Sequence, residues 1–342
     1  MTYKIRIIIP YFGKFKNSIN LFLDSCAKNP NFEWLIFTDD AVLNTPSNVE
    51  IINCNLDDIK NRIESTLGFT VSLEAPYKLC DFRPAFGLIF QKELKGYDFW
   101  GWGDVDLIYG NLSKFITNDC LSNYDKIYPC GHLSILRNCN EVNTCFMREV
   151  KGTLNYKEVF SNPSSYIFDE YKGLNEKLLS IGMRVYGNID FADMDIVYKR
   201  FRTADKKTIK MVFPKFLFTK YIPKNYKNQT FLITSNGAAY RVYIDSKGIC
   251  KEKELVYIHY RHDIPYDGNL NKKDDYFITS KGFLRRNSKI TKKTIEYVNP
   301  YNGFIEEFIE YLHFFKERLI LIFGSNKKIR NIIRLIKGKN RI

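Results

Sequence analysis

The sequence predicts an α/β fold: a mixed, Rossmann-like sheet flanked by helices, with a helical, basic C-terminal extension. Three observations predict it. The N-terminal part alternates strand, helix and strand with short links, the opening of a doubly wound sheet. Its strands run out into polar loops, and "FWGWGDVDLIYG" (99–110) ends an aromatic run with Asp104 and Asp106, one residue apart. The end of the chain, "KKIRNIIRLIKGKNRI" (327–342), carries Lys and Arg and no acid.

The elements follow in order. "KIRIIIPYFG" is an apolar, β-branched run stopped by Pro10 and Gly13, which reads as a buried parallel strand. "NSINLFLDSCAKN" spaces Ile19, Leu21, Phe22 and Cys26 as a helix does. "FEWLIFTDD" is a second strand ending in Asp39 and Asp40, and "NVEIINCN" a third. A helix is expected to start near Arg83–Pro84, where Pro suits the first turn, and to end before Gly96. Trp100 and Trp102 belong to the next strand. "FDEYKGLNEKLLSIG" reads as a helix stopped by Gly182, with a strand after it. Residues 210–260 alternate apolar and polar positions and read as hairpins; 262–302 are polar and read as loop. "FIEEFIEYLHFFKERLILIF" is an amphipathic helix, and its apolar run "LILIF" is too short to cross a bilayer.

Composition bounds the function. The net charge is +14, half of it in the tail at 327–342, so the charge is not a nucleic-acid footprint and no nucleic-acid partner is expected. Aromatic residues make up 15% of the chain; they serve as core filler or line clefts for sugars or bases. The eight Cys form no C-x-x-C pair, which argues against a zinc ribbon and for free thiols. No signal peptide is expected at the N-terminus.

Ligands of open α/β sheets bind beyond the carboxyl ends of the strands. That rule puts Pro10–Lys14, Asp39–Asp40 and Asp104–Asp106 on one rim. Asp104 and Asp106 would share a face while Val105 points inward. Two such carboxylates repel unless a divalent cation lies between them, so the pair is either a Mg²⁺ or Mn²⁺ site or two solvated loop acids. Lys78, Asp81 and Arg83 orient phosphate and sugar, or Asp81 caps a helix and Arg83 makes a surface ion pair. Asp169 and Glu170 face an acceptor, or cap the helix they precede. His259 ends a late strand beside Arg261 and His262; it is a metal ligand or a packing residue, and His132 leaves the same choice.

The blocks "PYFGKF", "PYKLCDFRPAFG", "GWGDVDLIYG" and "YIHYRH", in this order, resemble the GT-A class of nucleotide-sugar glycosyltransferases. They are similar to a bacterial family of capsule and surface-polysaccharide loci, distantly related to glycosyltransferase families 8 and 32. The resemblance covers roughly residues 4–265. "DVD" after an aromatic strand is its anchor. His259 matches the late metal-binding His of family 8, although the Gly and Lys-Pro-Trp that follow it there are absent. The resemblance implies a GT-A-like catalytic domain over 1–265; the residue pattern beyond it gives a loop-rich connection over 266–303 and an amphipathic helix with a basic tail over 304–342.

It also implies a hexosyltransferase, with retention of anomeric configuration favoured over inversion. The metal, Mn²⁺ or Mg²⁺, would be held by Asp104, Asp106 and His259. The nucleotide-sugar donor, a UDP-sugar, would meet Pro10, Tyr11, Phe12, Asp39, Lys78, Asp81, Arg83, Asp104 and Arg261. Asp169 or Glu170 would be the base of an inverting reaction or would bind the acceptor, a glycan or lipid-linked sugar. In the tail, Ile329, Ile332, Ile333 and Ile336 repeat at helical spacing between basic residues, the pattern of a helix lying on anionic membrane. The enzyme is therefore expected in the cytoplasm, on the inner face of the cell membrane. The rivals are a metal-dependent phosphohydrolase or nucleotidyltransferase, and a non-catalytic carbohydrate- or membrane-binding module.

Overall fold

The computed structural model describes residues 3–41, 44–170, 172–195, 200–202, 229–260, 264–266, 268–279 and 282–299. The predicted amphipathic helix and basic tail, and Arg261 with His262, lie outside them.

Strands β1 (Ile5–Pro10), β2 (Glu33–Thr38), β3 (Val49–Asn53) and β4 (Phe99–Gly103) pair in parallel, in the order β3-β2-β1-β4. β5 (Leu107–Tyr109) leaves for another sheet. β6 (Lys126–Ile127), β7 (Leu133–Arg137) and β8 (Val185–Tyr186) extend the first sheet, with β7 antiparallel to β4. The result is a seven-stranded mixed sheet.

Both faces of this sheet are buried, which is why its strands read as continuous apolar runs. Alternate side chains feed two cores. Ile8, Leu35, Phe37, Trp100 and Trp102 point to one. Ile7, Ile9, Trp34, Ile36 and Phe99 point to the other. Helix α1 (Ile19–Ala27) packs Phe22, Leu23 and Cys26 onto the second face. Helix α2 (Leu56–Leu67) packs Ile59 and Ile63 onto the first. The reading of the sequence passed over α2, although its ends are well marked. Asn55 and Asp58 form a reciprocal capping box at 2.9 Å, and Gly68 closes the helix at φ 77°.

A second sheet carries β9 (Ala192–Asp195), β10 (Arg200–Arg202) and, after the intervening strands, β14 (Tyr257–His259), in the order β10-β9-β14-β5. A third is antiparallel: β11 (Gln229–Ile233), β12 (Ala239–Ile244), β13 (Cys250–Leu255), β15 (Tyr276–Thr279) and β16 (Gly282–Arg285), in the order β13-β12-β11-β15-β16. The hairpins expected before residue 260 are there from residue 229 on. The loop expected over 262–302 is not all loop: it holds β15, β16 and a helix, Lys292–Val298. The two strands are four residues each inside a polar stretch, too short for a periodicity to show.

The helix expected from Arg83 instead starts at Pro76. The chain makes four consecutive short helical turns, Pro76–Lys78, Leu79–Phe82, Arg83–Ala85 and Phe86–Ile89. Pro84 lacks an N–H, so the run breaks into a tighter turn there instead of beginning. All eight cysteines are free thiols. Among the described residues no helix is long and apolar enough to cross a membrane.

Candidate functional site

A cleft of about 620 Å³ opens beyond the carboxyl ends of β1 and β4. Asp104, Val105 and Asp106 follow β4 in a turn, not a strand, and Val105 is buried in the second core. The partners of this turn come from the second sheet. β14 runs antiparallel to β5, so His259 stands opposite Leu107, next to Asp106. β14 also runs parallel to β9, which pairs His259 with Asp193.

The imidazole lies between these acids. His259 Nε2 is 3.3 Å from Asp106 Oδ1 and 4.0 Å from Asp104 Oδ2, while Nδ1 is 2.8 Å from Asp193 Oδ1. Burial alone would lower its pKa; the charges of Asp106 and Asp193 outweigh that and push it up to about 10. His132 stacks obliquely on His259 at 4.9 Å between ring centroids and holds the Tyr257 hydroxyl through Nδ1 at 2.6 Å.

Arg83 gathers the other side. One Nη donates to the Gly131 carbonyl at 2.8 Å and to Asp169 Oδ2 at 3.0 Å; the other pairs with Asp104. Glu170 accepts the Gly131 N–H. Only glycine permits this approach: a Cβ on residue 131 would sit 2.6 Å from Glu170 Oε1 and 2.8 Å from Asp169 Oδ2. Burial, reinforced by Asp169, raises the Glu170 carboxyl to about 7. Burial also raises Asp169 and Asp104, against the pull of Arg83 on both. Behind them Lys126 is fully buried against Asn175 and Trp102, and burial lowers its ammonium to about 8.

Several residues named from the sequence therefore meet in one place. Pro10, Tyr11, Phe12, Arg83, Asp104, Asp106, Asp169, Glu170 and His259 all line the cleft. Three others do not. Lys78 and Asp81 are 3% and 0% exposed and lie beneath it. Lys78 spends its donors on Asp81 at 2.8 Å and on the carbonyls of Val159 and Ser164. Asp81 accepts the N–H groups of Tyr166 and Phe168. A buried ammonium needs several partners, and these use it up, so the pair holds a loop instead of orienting a phosphate. Asp39 sits outside the cleft lining and accepts the Gly13 N–H at 2.8 Å, fixing the first rim loop at a glycine with φ 103°.

Asp169 and Glu170 are not helix caps either. The helix begins at Leu174, and Glu176 caps it by accepting the N–H groups of Lys172 and Gly173. The two earlier acids are free of that duty and turn into the cleft. Asp193 was missed altogether. "FADMD" reads as a strand, and only the pairing of β9 with the distant β14 makes its first Asp a neighbour of His259.

The donor set fits a hard divalent cation. Ligands about 2.1 Å from an octahedral ion lie about 3.0 Å apart when adjacent and about 4.2 Å when opposite. The separations of 3.3 and 4.0 Å from His259 Nε2 fall inside that interval. Two carboxylate oxygens and one imidazole suit Mn²⁺ or Mg²⁺ better than a soft metal. Five carboxylates (Asp104, Asp106, Asp169, Glu170 and Asp193) gather around Arg83 and the buried Lys126, and His259 would ligate an ion only as the neutral imidazole, so binding exchanges its proton for the charge of the cation. His132, Asp193 and His259 form a second grouping with ligand spacing, on the other nitrogen of His259. Since Asp193 already bonds Nδ1, the Nε2 side is the one open to an ion.

The chain belongs to a family of unknown function (DUF6625), whose model matches residues 7–287. No curated protein matches it. Solved structures similar to it include the apo-form glycosyltransferase GlyE of Streptococcus pneumoniae TIGR4, at 10% identity and TM-score 0.26, over 41% of this chain and 35% of that one. The chain thus spans about a third of that protein's length. Mouse xyloside xylosyltransferase 1, apo form, is similar at 9% identity and TM-score 0.35, over 65% of this chain and 96% of that one. An active-site mutant of LgtC is similar at 9% identity and TM-score 0.36, over 78% of this chain and 91% of that one.

Proposed function

We propose that this protein is a glycosyltransferase that moves a hexose from a nucleoside-diphosphate sugar, a UDP-sugar, to a hydroxyl of a glycan acceptor. The observation that carries the reading is the convergence of Asp104, Asp106 and His259 on one side of a cleft whose other side holds Arg83, Asp169 and Glu170. A cation held by Asp104, Asp106 and His259 would supply neutralisation of the charge on a leaving diphosphate.

The chain's own residues do the rest. Pro10, Tyr11 and Phe12 line the first rim and hold the nucleoside. Arg83 is fixed by Gly131, Asp104 and Asp169 and presents its charge to the donor. Asp169 and Glu170 meet sugar hydroxyls. Glu170, titrating at about 7, is the carboxylate suited to take a proton from the attacking hydroxyl. That role favours inversion over the retention implied by the resemblance, and the anomeric configuration of the product separates the two.

The test is release of UDP from a panel of UDP-hexoses with Mn²⁺. A phosphohydrolase built on the same acids would instead cleave UDP itself. Two further outcomes are expected. Glu170 holds its proton in the native state between an ordinary carboxylate pKa of 4.5 and about 7, so kcat/KM of the free enzyme should rise with pH up to about 7 and then level. In Glu170→Gln that limb should vanish, and a limb that persists would exclude Glu170 as the base. Asp193→Leu should weaken Mn²⁺ binding, measured by titration calorimetry, by roughly 10–100-fold, because it removes the acceptor that keeps Nδ1 protonated and Nε2 facing the ion. Unchanged affinity would put the ion elsewhere.

A further inference from the structure

Three features around the cleft are left unused by this mechanism. The first is Ile167, at φ 57°, a left-handed conformation that a β-branched residue avoids. The second is the buried Lys78–Asp81 pair, costly to desolvate and outside the cleft. The third is exposed apolar surface: Tyr77 is 70% and Ile167 49% exposed, and both line the cleft.

One construction joins them. A single carboxylate, Asp81, takes the N–H of Tyr166 at 3.0 Å and that of Phe168 at 3.0 Å, the two amides flanking Ile167. Lys78 pins the Ser164 carbonyl at 2.6 Å. The loop is over-determined on both sides of its strained residue, and the conformation it enforces leaves Ile167 at the cleft instead of in the core. Strain that the surroundings enforce, at the edge of a site, belongs to what the site binds.

The chemistry beside the lip identifies the occupant. Ile167 is two residues from Asp169, whose Oδ1 is buried in the cleft wall and has no hydrogen-bond partner among the described residues. An aromatic ring and a branched aliphatic group beside unspent carboxylate oxygen match a pyranose, which offers a C–H face to the one and hydroxyl donors to the other. An acyl chain would leave the carboxylate unpaired. The nucleoside is assigned to the other lip: Tyr11 follows β1 on the first rim, whereas Tyr77 stands on the Pro76–Lys78 turn.

We infer that Tyr77 and Ile167, held out by the Lys78–Asp81 clamp, form the subsite for the acceptor's sugar ring. This rests on the glycosyltransferase reading and adds the place where the acceptor's ring is held. The test uses methyl glucoside, galactoside and mannoside as probes, followed by ligand-observed NMR on the full chain with and without UDP and Mn²⁺. At least one glycoside should bind the wild type with its C–H face nearest the protein. Tyr77→Ala and Ile167→Asn should each weaken that binding at least tenfold and leave UDP–Mn²⁺ affinity unchanged. Asn tolerates the left-handed region, so Ile167→Asn should not lower the melting temperature. Glycoside binding that is absent in the wild type or unchanged in both variants overturns the inference. So does a loss of UDP affinity in Tyr77→Ala, which would put the nucleotide on the lip, or a fall in the melting temperature of Ile167→Asn, which would make Ile167 a packing residue. A wild type that ignores UDP and Mn²⁺ but binds glycoside would sink the donor reading alone.

Discussion

In Asp106→Asn, UDP should stabilise the protein equally with and without Mn²⁺, whereas in the wild type the two should differ by several degrees. Asp106 is 8% exposed and lies 3.3 Å from His259 Nε2. A diphosphate entering the cleft meets Asp104 and Asp106 as like charges, and only a cation between them turns repulsion into binding. If Mn²⁺ raises UDP affinity a hundredfold, the added stabilisation is about 2.7 kcal/mol at saturating metal. For a chain of this size that is roughly 4 °C in Tm. The substitution keeps the side chain's shape and removes one anionic ligand. His259 keeps Asp193 as a partner, so the apo protein should still fold. A Mn²⁺-dependent shift that survives intact in Asp106→Asn would remove the metal from this cleft.

How much of this was legible in the sequence varies with distance along the chain. The parallel strands were legible because burial on both faces writes them as apolar runs, as in "KIRIIIP" and "FEWLIFT". The acid pair at 104 and 106 was legible because it ends such a run. The helix Leu56–Leu67 carries local capping signals that a reading for apolar runs passes over. The roles of Lys78 and Asp81 were not legible: the same residues three apart suit a phosphate or a buried ion pair, and the loop at 164–168 decides between them from some 85 residues away. Asp193 has the same difficulty. Its significance lies in the register of β9 against β14, which no local pattern records. Gly131 and the acids at 169 and 170 make the point for backbone, since a glycine becomes necessary only where two distant carboxylates crowd its Cα.

The largest loss of stability should come from Asp81→Asn, at a position outside the cleft. The Lys78–Asp81 pair is almost fully sealed from solvent, at 3% and 0% side-chain exposure. Asn can still turn its carbonyl to the N–H groups of Tyr166 and Phe168, so the loop keeps its acceptor. Its amide nitrogen then faces the Lys78 ammonium, donor against donor, and leaves that charge with no anion, only the carbonyls of Val159 and Ser164 and the Tyr166 ring. Removing one partner of a buried pair costs about 3–5 kcal/mol, which in a chain of this size lowers Tm by roughly 4–7 °C. The sign of the second step is the sharper test. Lys78→Met, destabilising on its own, should become stabilising in the Asp81→Asn background, because it removes the stranded charge and keeps most of the apolar stem. Urea or thermal melts of the four proteins close the cycle. If Asp81→Asn costs less than about 1 kcal/mol, as an exposed pair would, water reaches the pair and the loop that carries Ile167 is not held by it. If the cycle has the expected sign, the clamp's strength is the stability the fold commits to presenting that loop to the cleft.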